Sequence, residues 1–229
     1  MVEEGRSDSL PHNPWVRELV AGKQRWSSRP RHEAGIAGFT GWHERGYLPH
    51  RDEPGLVQFV TFHTADSFPA SLRSEWMALL SIEDRPEKRR RLEHYLDRGR
   101  GERPLSIPHI GRLVDEALRF YDGAKYELRA WVVMPNHVHF LFKAETEPMG
   151  KVIRSLKEFT ARRANRYLGR KGQFWAADFY DTYMRNADQE LRVRRYIEAN
   201  PVKALLSKDA KDWPWSSARY RDEYGRLHI

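Results

Sequence analysis

The chain of 229 residues contains no cysteine. Disulfide bonds and thiolate metal sites are therefore excluded, and a reducing cytoplasm is compatible with the composition. Long apolar runs are missing too. None approaches the ~20 residues that cross a bilayer as a helix, so no membrane partner is expected. The opening Met1-Val2-Glu3-Glu4-Gly5-Arg6 is charged and shows none of the apolar stretch of a secretory signal. Internal repeats are absent. Acidic charge is the scarcer sign, with 32 Asp plus Glu against 40 Lys plus Arg and a net charge of +8. That excess favours a polyanionic partner, and nucleic acid comes first.

Residues 1–48 mix Gly, Pro, Ser, Arg and His with scattered aromatics, among them Trp15, Trp26, Phe39 and Trp42. No periodicity is sustained there, and the apolar area is too small to fold alone. The segment reads as a basic, partly disordered N-terminal extension, either laid on the domain or on nucleic acid or simply a leader. The folded domain is expected over residues 49–229.

Within it, Leu56–His63 is rich in β-branched and aromatic residues after the Pro54-Gly55 turn, and reads as a strand. Ser71–Leu80 has helical spacing at Leu72, Trp76, Leu79 and Leu80, with Ser71 as cap. The charged stretch 83–104 suggests a solvated helix around Leu92 and Leu96, then a loop at Gly99-Arg100-Gly101. A helix follows over Pro108–Tyr121. Strands Lys125–Met134 and Val138–Ala144 meet at a Pro-Asn turn. The next helix, Met149–Leu168, turns Val152, Ile153, Leu156, Phe159, Tyr167 and Leu168 to the core. Asp178–Arg185 gives a fourth strand, with Phe179, Asp181, Tyr183 and Arg185 on one face. A last helix, residues 189–199 after caps at 186–188, ends at Pro201, because the residue before proline disfavours helix. Strand, helix, strand, strand, helix, strand, helix is the order of an α+β fold. Its core is the split βαβ arrangement of a ferredoxin-like antiparallel sheet with packed helices.

Two features carry chemistry. In Met134-Pro135-Asn136-His137-Val138-His139, alternation on a strand points His137 and His139 to the same face, where two imidazoles can hold one metal ion. Histidines in otherwise apolar strands conflict with local preference, and such conflicts mark functional sites. On the last helix, Val193, Tyr196, Ile197 and Asn200 share a face at i, i+3, i+4 and i+7. From the residues alone, Tyr196 reads first as a core aromatic whose hydroxyl finds a partner, and Asn200 is just as easily a C-terminal cap before the proline. A third feature concerns affinity. Lys151, Arg154, Lys157, Arg162, Arg163, Arg166 and Arg170 oppose a single Glu158 on the helix after 149 and its exit. This stripe, with Arg185 on the fourth strand, suits phosphate contacts.

Three blocks taken together resemble the REP-associated tyrosine transposases of the single-tyrosine HUH superfamily. They are Val133-Met134-Pro135-Asn136-His137-Val138-His139, Tyr196-Ile197-Glu198-Ala199-Asn200-Pro201-Val202-Lys203-Ala204 and Asp212-Trp213-Pro214-Trp215-Ser216-Ser217. The similarity runs from Pro49 to Ser217. It implies an HUH endonuclease domain that cuts single-stranded DNA beside a hairpin with a divalent metal. The metal ligands map onto His137, His139 and Asn200, and the nucleophile onto Tyr196. Such a site, with open coordination positions, suits Mg²⁺ or Mn²⁺. The implied reaction leaves a 5′-phosphotyrosine intermediate that can rejoin strands in transposition and recombination. The extension 1–48 and the insertion 81–107 exceed what compact relatives need.

The resemblance further implies a monomer or homodimer in the bacterial cytoplasm, near the nucleoid. The alternative is a non-catalytic DNA-binding regulator that keeps the transposase fold. An RNA-binding ferredoxin-like module would want exposed aromatics on its central strands, where this chain has histidines.

Overall fold

The computed structural model describes residues 35–44, 49–67, 78–79, 82, 85–99 and 101–229. Most of the helix expected at Ser71–Leu80, and residues 1–34 of the extension, lie outside the described residues. Six strands are described, β1 (Gly41–Glu44), β2 (Pro49–Asp52), β3 (Val57–His63), β4 (Glu127–Val133), β5 (His137–Lys143) and β6 (Tyr180–Tyr183). The described helices are α1 (Arg85–Asp97), α2 (Pro108–Phe120), α3 (Met149–Tyr167) and α4 (Ala187–Lys203). No described helix is long and apolar enough to cross a membrane.

Strands β4, β5, β3 and β6 lie side by side in that order, and every neighbouring pair is antiparallel. The first strand of the repeat thus sits in the middle and the last at an edge. That is the ferredoxin-like order. Alternation divides the apolar side chains between two faces. Val60, Phe62, Trp131, Val138, Phe140 and Phe142 join α2 and α3 in the larger core. Phe59, Ala130, Val132, Leu141 and Met184 pack with Val193 and Ile197 of α4 on the other. The sheet is therefore a partition, with α3 behind it and α4 in front.

The segment after α4 covers the β4 edge. Val133 N–H donates to the Trp215 carbonyl at 2.9 Å, and Trp213 Nε1 to the Val133 carbonyl at 2.9 Å. Trp215 lies so close to α2 that a Cβ on Gly111 would meet its ring at 2.6 Å. Ser217 Oγ donates to Glu198 Oε1 of α4 at 2.7 Å, and Arg221 pairs with the same carboxylate. The Asp-Trp-Pro-Trp-Ser-Ser block thus fastens α4 to the sheet.

Part of the extension side is built into the domain. β1 pairs with β2 as an antiparallel hairpin, and Phe39 is buried. Asp52 accepts from Met149 N–H at 2.9 Å, so this hairpin caps the first turn of α3, which has no cap of its own. Sequence reading missed the contact because β1 and β2 are only four residues each.

His50 is fully buried between Asp181, which its Nδ1 contacts, and Asp178, 3.6 Å from its Nε2. Burial opposes its charge, but the two carboxylates outweigh that and raise it to about 9. A folded-state value above the ordinary 6.5 stabilises fully below about pH 6.5, and the contribution is lost as pH rises through about 9. It amounts to roughly 3 kcal/mol. Thermal unfolding should show the midpoint falling between pH 6.5 and 9, and His50→Gln should remove most of that slope. A slope unchanged by the substitution contradicts this role.

Proline 201 corrects one boundary. α4 continues through it to Lys203. Asn200 and Pro201 are buried, and the last turn closes with Leu206 N–H on the Pro201 carbonyl at 2.8 Å and Leu205 N–H on that of Val202 at 3.0 Å. These are the two bonds of a Schellman motif, formed here with Leu205 at φ 58 where glycine is usual. Tertiary packing outweighs the local cost of the proline.

Candidate functional site

The site lies on the α4 face of the sheet. Met134 N–H donates to the His137 carbonyl at 2.8 Å and closes the Pro-Asn turn. The Pro135 and Asn136 carbonyls are bonded in turn by Leu105 N–H at 3.1 Å and Thr64 N–H at 2.8 Å. The turn cannot drift, and β5 leaves it with His137 and His139 buried side by side, ring centroids 4.8 Å apart.

Each ring is held through Nδ1. His137 Nδ1 lies 2.8 Å from Asn136 Oδ1, and His139 Nδ1 lies 2.8 Å from Thr61 Oγ1. An amide oxygen only accepts, so Nδ1 of His137 carries the proton and its Nε2 presents a lone pair. Burial, with His139 and His63 adding, lowers the His137 pKa well below the ordinary value, so this ring is neutral. A neutral imidazole oriented by a bond from its other nitrogen is the usual state of a metal-binding histidine.

Helix α4 brings the remaining two residues. Asn186 caps it by accepting from Gln189 N–H at 2.8 Å, and Gln189 Oε1 accepts from Arg185 N–H at 2.9 Å. Val193 and Ile197 anchor the helix in the smaller core, so the face between them carries Tyr196 and Asn200 inward. The Tyr196 ring sits 5.5 Å from His139 and 6.2 Å from Phe59, with Lys203 Nζ 4.6 Å above it. Asn200 is fully buried, and neither its oxygen nor its nitrogen has a hydrogen-bond partner. His137 Nε2 and the Tyr196 hydroxyl are unbonded as well. Leaving a buried polar group unsatisfied costs about 1–3 kcal/mol each, so a cluster of them marks a site built for something else.

Burial raises the Tyr196 pKa far above the ordinary phenol value. The Glu93 and Asp97 carboxyls add to the rise, and the Asn200 amide opposes it. Both acids come from α1, within the insertion that sequence reading took for a solvated helix. Leu92, Glu93, Tyr95 and Leu96 are instead buried. Asp97 Oδ1 lies 3.8 Å from His137 Nε2, and burial raises its pKa to about 6. No spacing rule links residue 97 to residue 137, so the sequence held no signal for this contact. The same holds for His63, which stands opposite His137 in the β3–β5 register.

Among the described residues no three His, Asp or Glu side chains converge as a metal cage. The two imidazoles lie side by side, His139 packs on the Tyr196 ring, and the Asn200 amide acts on the Tyr196 phenol.

The basic stripe is elsewhere. α3 packs in the larger core, so its outer face lies across the sheet from the site. Lys151, Arg154, Arg162, Arg163 and Arg166 are exposed on α3, and Arg185 is exposed at the exit of β6. Lys157 is not part of this surface. Its ammonium donates to the carbonyls of Ala176, Ala177 and Asp178 at 2.9, 3.3 and 3.0 Å, and burial lowers its pKa to about 8. With Arg154 it lines a cleft of about 490 Å³ between α3 and residues 172–179. Two residues read as core-facing are exposed. Phe159 lies under Arg163 at 4.5 Å, and Tyr167 stacks on His109 at 4.3 Å. Long amphipathic side chains cover them in place of the core.

A hairpin carrying two histidines, faced by a helix with Tyr and Asn one turn apart, is the arrangement that the sequence resemblance implies. Residues 112–200, which hold all four side chains, match the protein family described as "Transposase IS200 like". The REP-associated tyrosine transposase of Escherichia coli (strain K12) is 29% identical over 92 residues, 40% of this chain and 54% of that protein. The match thus spans about half the length of this curated relative. Among solved structures, a REP-associated tyrosine transposase bound to a REP hairpin aligns with a TM-score of 0.46 and 17% identity. That alignment covers 82% of this chain and 98% of the other. A Deinococcus radiodurans protein described as a "putative transposase" aligns with a TM-score of 0.33 and 16% identity, over 69% and 96% of the two chains.

Proposed function

We propose that this protein is a DNA nickase and strand transferase of the single-tyrosine HUH type, acting on single-stranded DNA beside a hairpin. The observation that carries the reading is the His137–His139 ring pair with Tyr196 packed against it, where the His137 Nε2, the Tyr196 hydroxyl and the Asn200 amide lack hydrogen-bond partners, inside the segment that matches a transposase family. Packing alone gives no reason to keep an amide, a phenol and an imidazole lone pair together there.

His137, His139 and Asn200 are the residues to hold a divalent cation, Mg²⁺ or Mn²⁺. When bound, that cation supplies positive charge at the scissile phosphate and beside the phenol. Tyr196 Oη attacks phosphorus, the Oη–P bond forms, and the bond from phosphorus to the 3′ oxygen breaks. The phenol gives up its proton, and the departing oxygen gains one to become a 3′-hydroxyl. One phosphoester replaces another, so the 5′-phosphotyrosine can be attacked by a second 3′-hydroxyl and the strands rejoined. Asn136 and Thr61 keep the imidazoles turned inward. Lys203, over the Tyr196 ring, is placed to meet a phosphate on the strand entering the site.

The role of α3 follows from its position. Arg162, Arg163 and Arg166, with Lys151 and Arg154, supply affinity behind the sheet. DNA that meets both surfaces must bend round an edge, as a hairpin joined to a single strand can. Replacing Arg162, Arg163 and Arg166 with Ala should weaken hairpin binding at every sequence and lower the log–log salt slope by about 0.7–0.9 per lost phosphate contact. Lys157→Ala should leave the slope alone and lower thermal stability, because three carbonyls lose their donor. An unchanged slope in the arginine variant argues against the stripe.

The function itself is tested by incubating end-labelled single-stranded hairpin DNA with protein and Mn²⁺. A cut strand and a protein–DNA adduct that survives denaturation are expected. Binding without cutting, over a panel of hairpins from the flanking genome, favours the non-catalytic regulator.

A further inference from the structure

The geometry points to Tyr167, with His109 behind it, as a stacking platform for an unpaired base where single-stranded DNA leaves the hairpin, an inference that rests on the function proposed above. Helical spacing puts Tyr167 in the core, yet the residue is 54% exposed. Its ring lies nearly parallel to that of His109, itself exposed, with centroids 4.3 Å apart and planes 17° apart. One face of the phenol is thus occupied and the other is left to solvent. A single exposed ring is ordinary. Here it belongs to a row. Phe159, Arg163 and Tyr167 follow one another at intervals of four on α3, about 6 Å apart along the axis. Arg163 lies over the Phe159 ring at 4.5 Å, Arg166 is exposed beside Tyr167, and Glu158 is the one acid on the helix. Rings interleaved with cations on one surface suit a single strand, because every base has a flat apolar face and every phosphate a charge.

The place of the pair in the fold selects the base. α3 begins past the far end of β5 and runs back along the sheet, so its last turn lies at the Pro-Asn end, where β5 begins with His137. Three links fix that placement. Trp175 Nε1 donates to Thr160 Oγ1 at 2.9 Å, Trp175 bridges Thr64, and Thr64 N–H donates to the Asn136 carbonyl at 2.8 Å. From the other side, Leu105 N–H holds the Pro135 carbonyl at 3.1 Å, and His109 follows at the start of α2. Tyr167 and His109 therefore stand behind the same end of the sheet that carries the site in front. Along a paired stem the bases cover one another's faces, and the stripe on α3 meets phosphates. On the way from that stem to Tyr196, the first base to offer a free face is the one at the foot of the hairpin. A flat ring at that point sets the path of the strand by stacking, whatever the base.

The experiment uses the full chain and hairpin DNA with a single-stranded foot that carries 2-aminopurine, a fluorescent base, at each foot position in turn. Wild-type protein should quench the position next to the stem, and Tyr167→Leu, which keeps the apolar bulk, should abolish that quenching. Tyr167→Leu should also weaken binding of this hairpin roughly 5- to 150-fold, the range for loss of one aromatic–base stack. Tyr167→Phe keeps the ring and should bind within twofold of wild type. The log–log salt slope should be the same in all three, because no phosphate contact is lost. Pairing the foot with a complementary strand should make wild type and Tyr167→Leu bind alike. Circular dichroism checks the fold of each variant, and the wild-type quenching stands without them. Tyr167→Leu binding the unpaired foot within twofold of wild type, or wild-type protein quenching no foot position, overturns the proposal. So does a change in sedimentation of Tyr167→Leu with hairpin affinity kept, which gives this face to a second copy of the chain. None of these readouts needs cutting. A chain that binds and quenches but never cuts contradicts the nickase reading and leaves the platform in place.

Discussion

Replacing His137 and His139 together by glutamine is expected to lower strand cleavage by a hundredfold or more while hairpin binding changes by less than about threefold. The rings are the innermost donors of the site, with centroids 4.8 Å apart. Loss of one preorganised electrostatic group at a reacting centre costs about 10²–10³ in rate. The phosphate contacts proposed for α3 lie behind the sheet, so affinity should be spared. Glutamine keeps most of the volume, so the cavity cost stays below the ~2–5 kcal/mol of a large-to-Ala change in a core. The check is a paired measurement of cleavage and of hairpin affinity at one salt concentration. Cleavage that persists in the double variant with chelator present removes the metal from the account.

Tyr196→Phe has the second large effect, and it carries an unusual signature. The hydroxyl has no hydrogen-bond partner although the ring is packed among Phe59, His139 and Lys203. Removing it deletes a buried unsatisfied group, worth about 1–3 kcal/mol, and disturbs no packing. The Phe variant is expected to be as stable as the wild type or more so, with its thermal midpoint unchanged or raised, and to form no adduct. Stability gained as function is lost is what a strained polar site shows on repair. A lowered midpoint would place the hydroxyl in the structural network instead.

Much of this was legible in the sequence because period-2 and period-3.6 patterns are local. His137 and His139 share a face by alternation alone, and Tyr196 and Asn200 share one by the helical repeat. The element order sufficed for the ferredoxin-like sheet. What escaped depends on contacts between distant segments. Lys157 counted as a stripe residue until the carbonyls of 176–178 were placed beside it. Tyr167, expected on the core face by helical spacing, is exposed and stacked on His109. What separates it from the site is its place on α3, behind the sheet. Pro201 ends helices on average, yet burial of Asn200 and Ile197 carries α4 past it. The acids of α1 looked like part of a solvated charge run, and only the docking of Leu92 and Leu96 turns Glu93 and Asp97 inward.

The identity of the residue that joins DNA tests the central claim most directly. Other tyrosines stand close in sequence. Tyr180 and Tyr183 lie on β6, a strand rather than a helix, and neither has an amide at i+4. The adduct formed on single-stranded hairpin DNA with Mn²⁺ should be digested with trypsin and nuclease and its peptide mapped by mass. The account predicts a nucleotide on Tyr196 in the wild type and no adduct in Tyr196→Phe. A nucleotide mapped to Tyr167, Tyr180 or Tyr183, or an adduct that survives in the Phe variant, contradicts it.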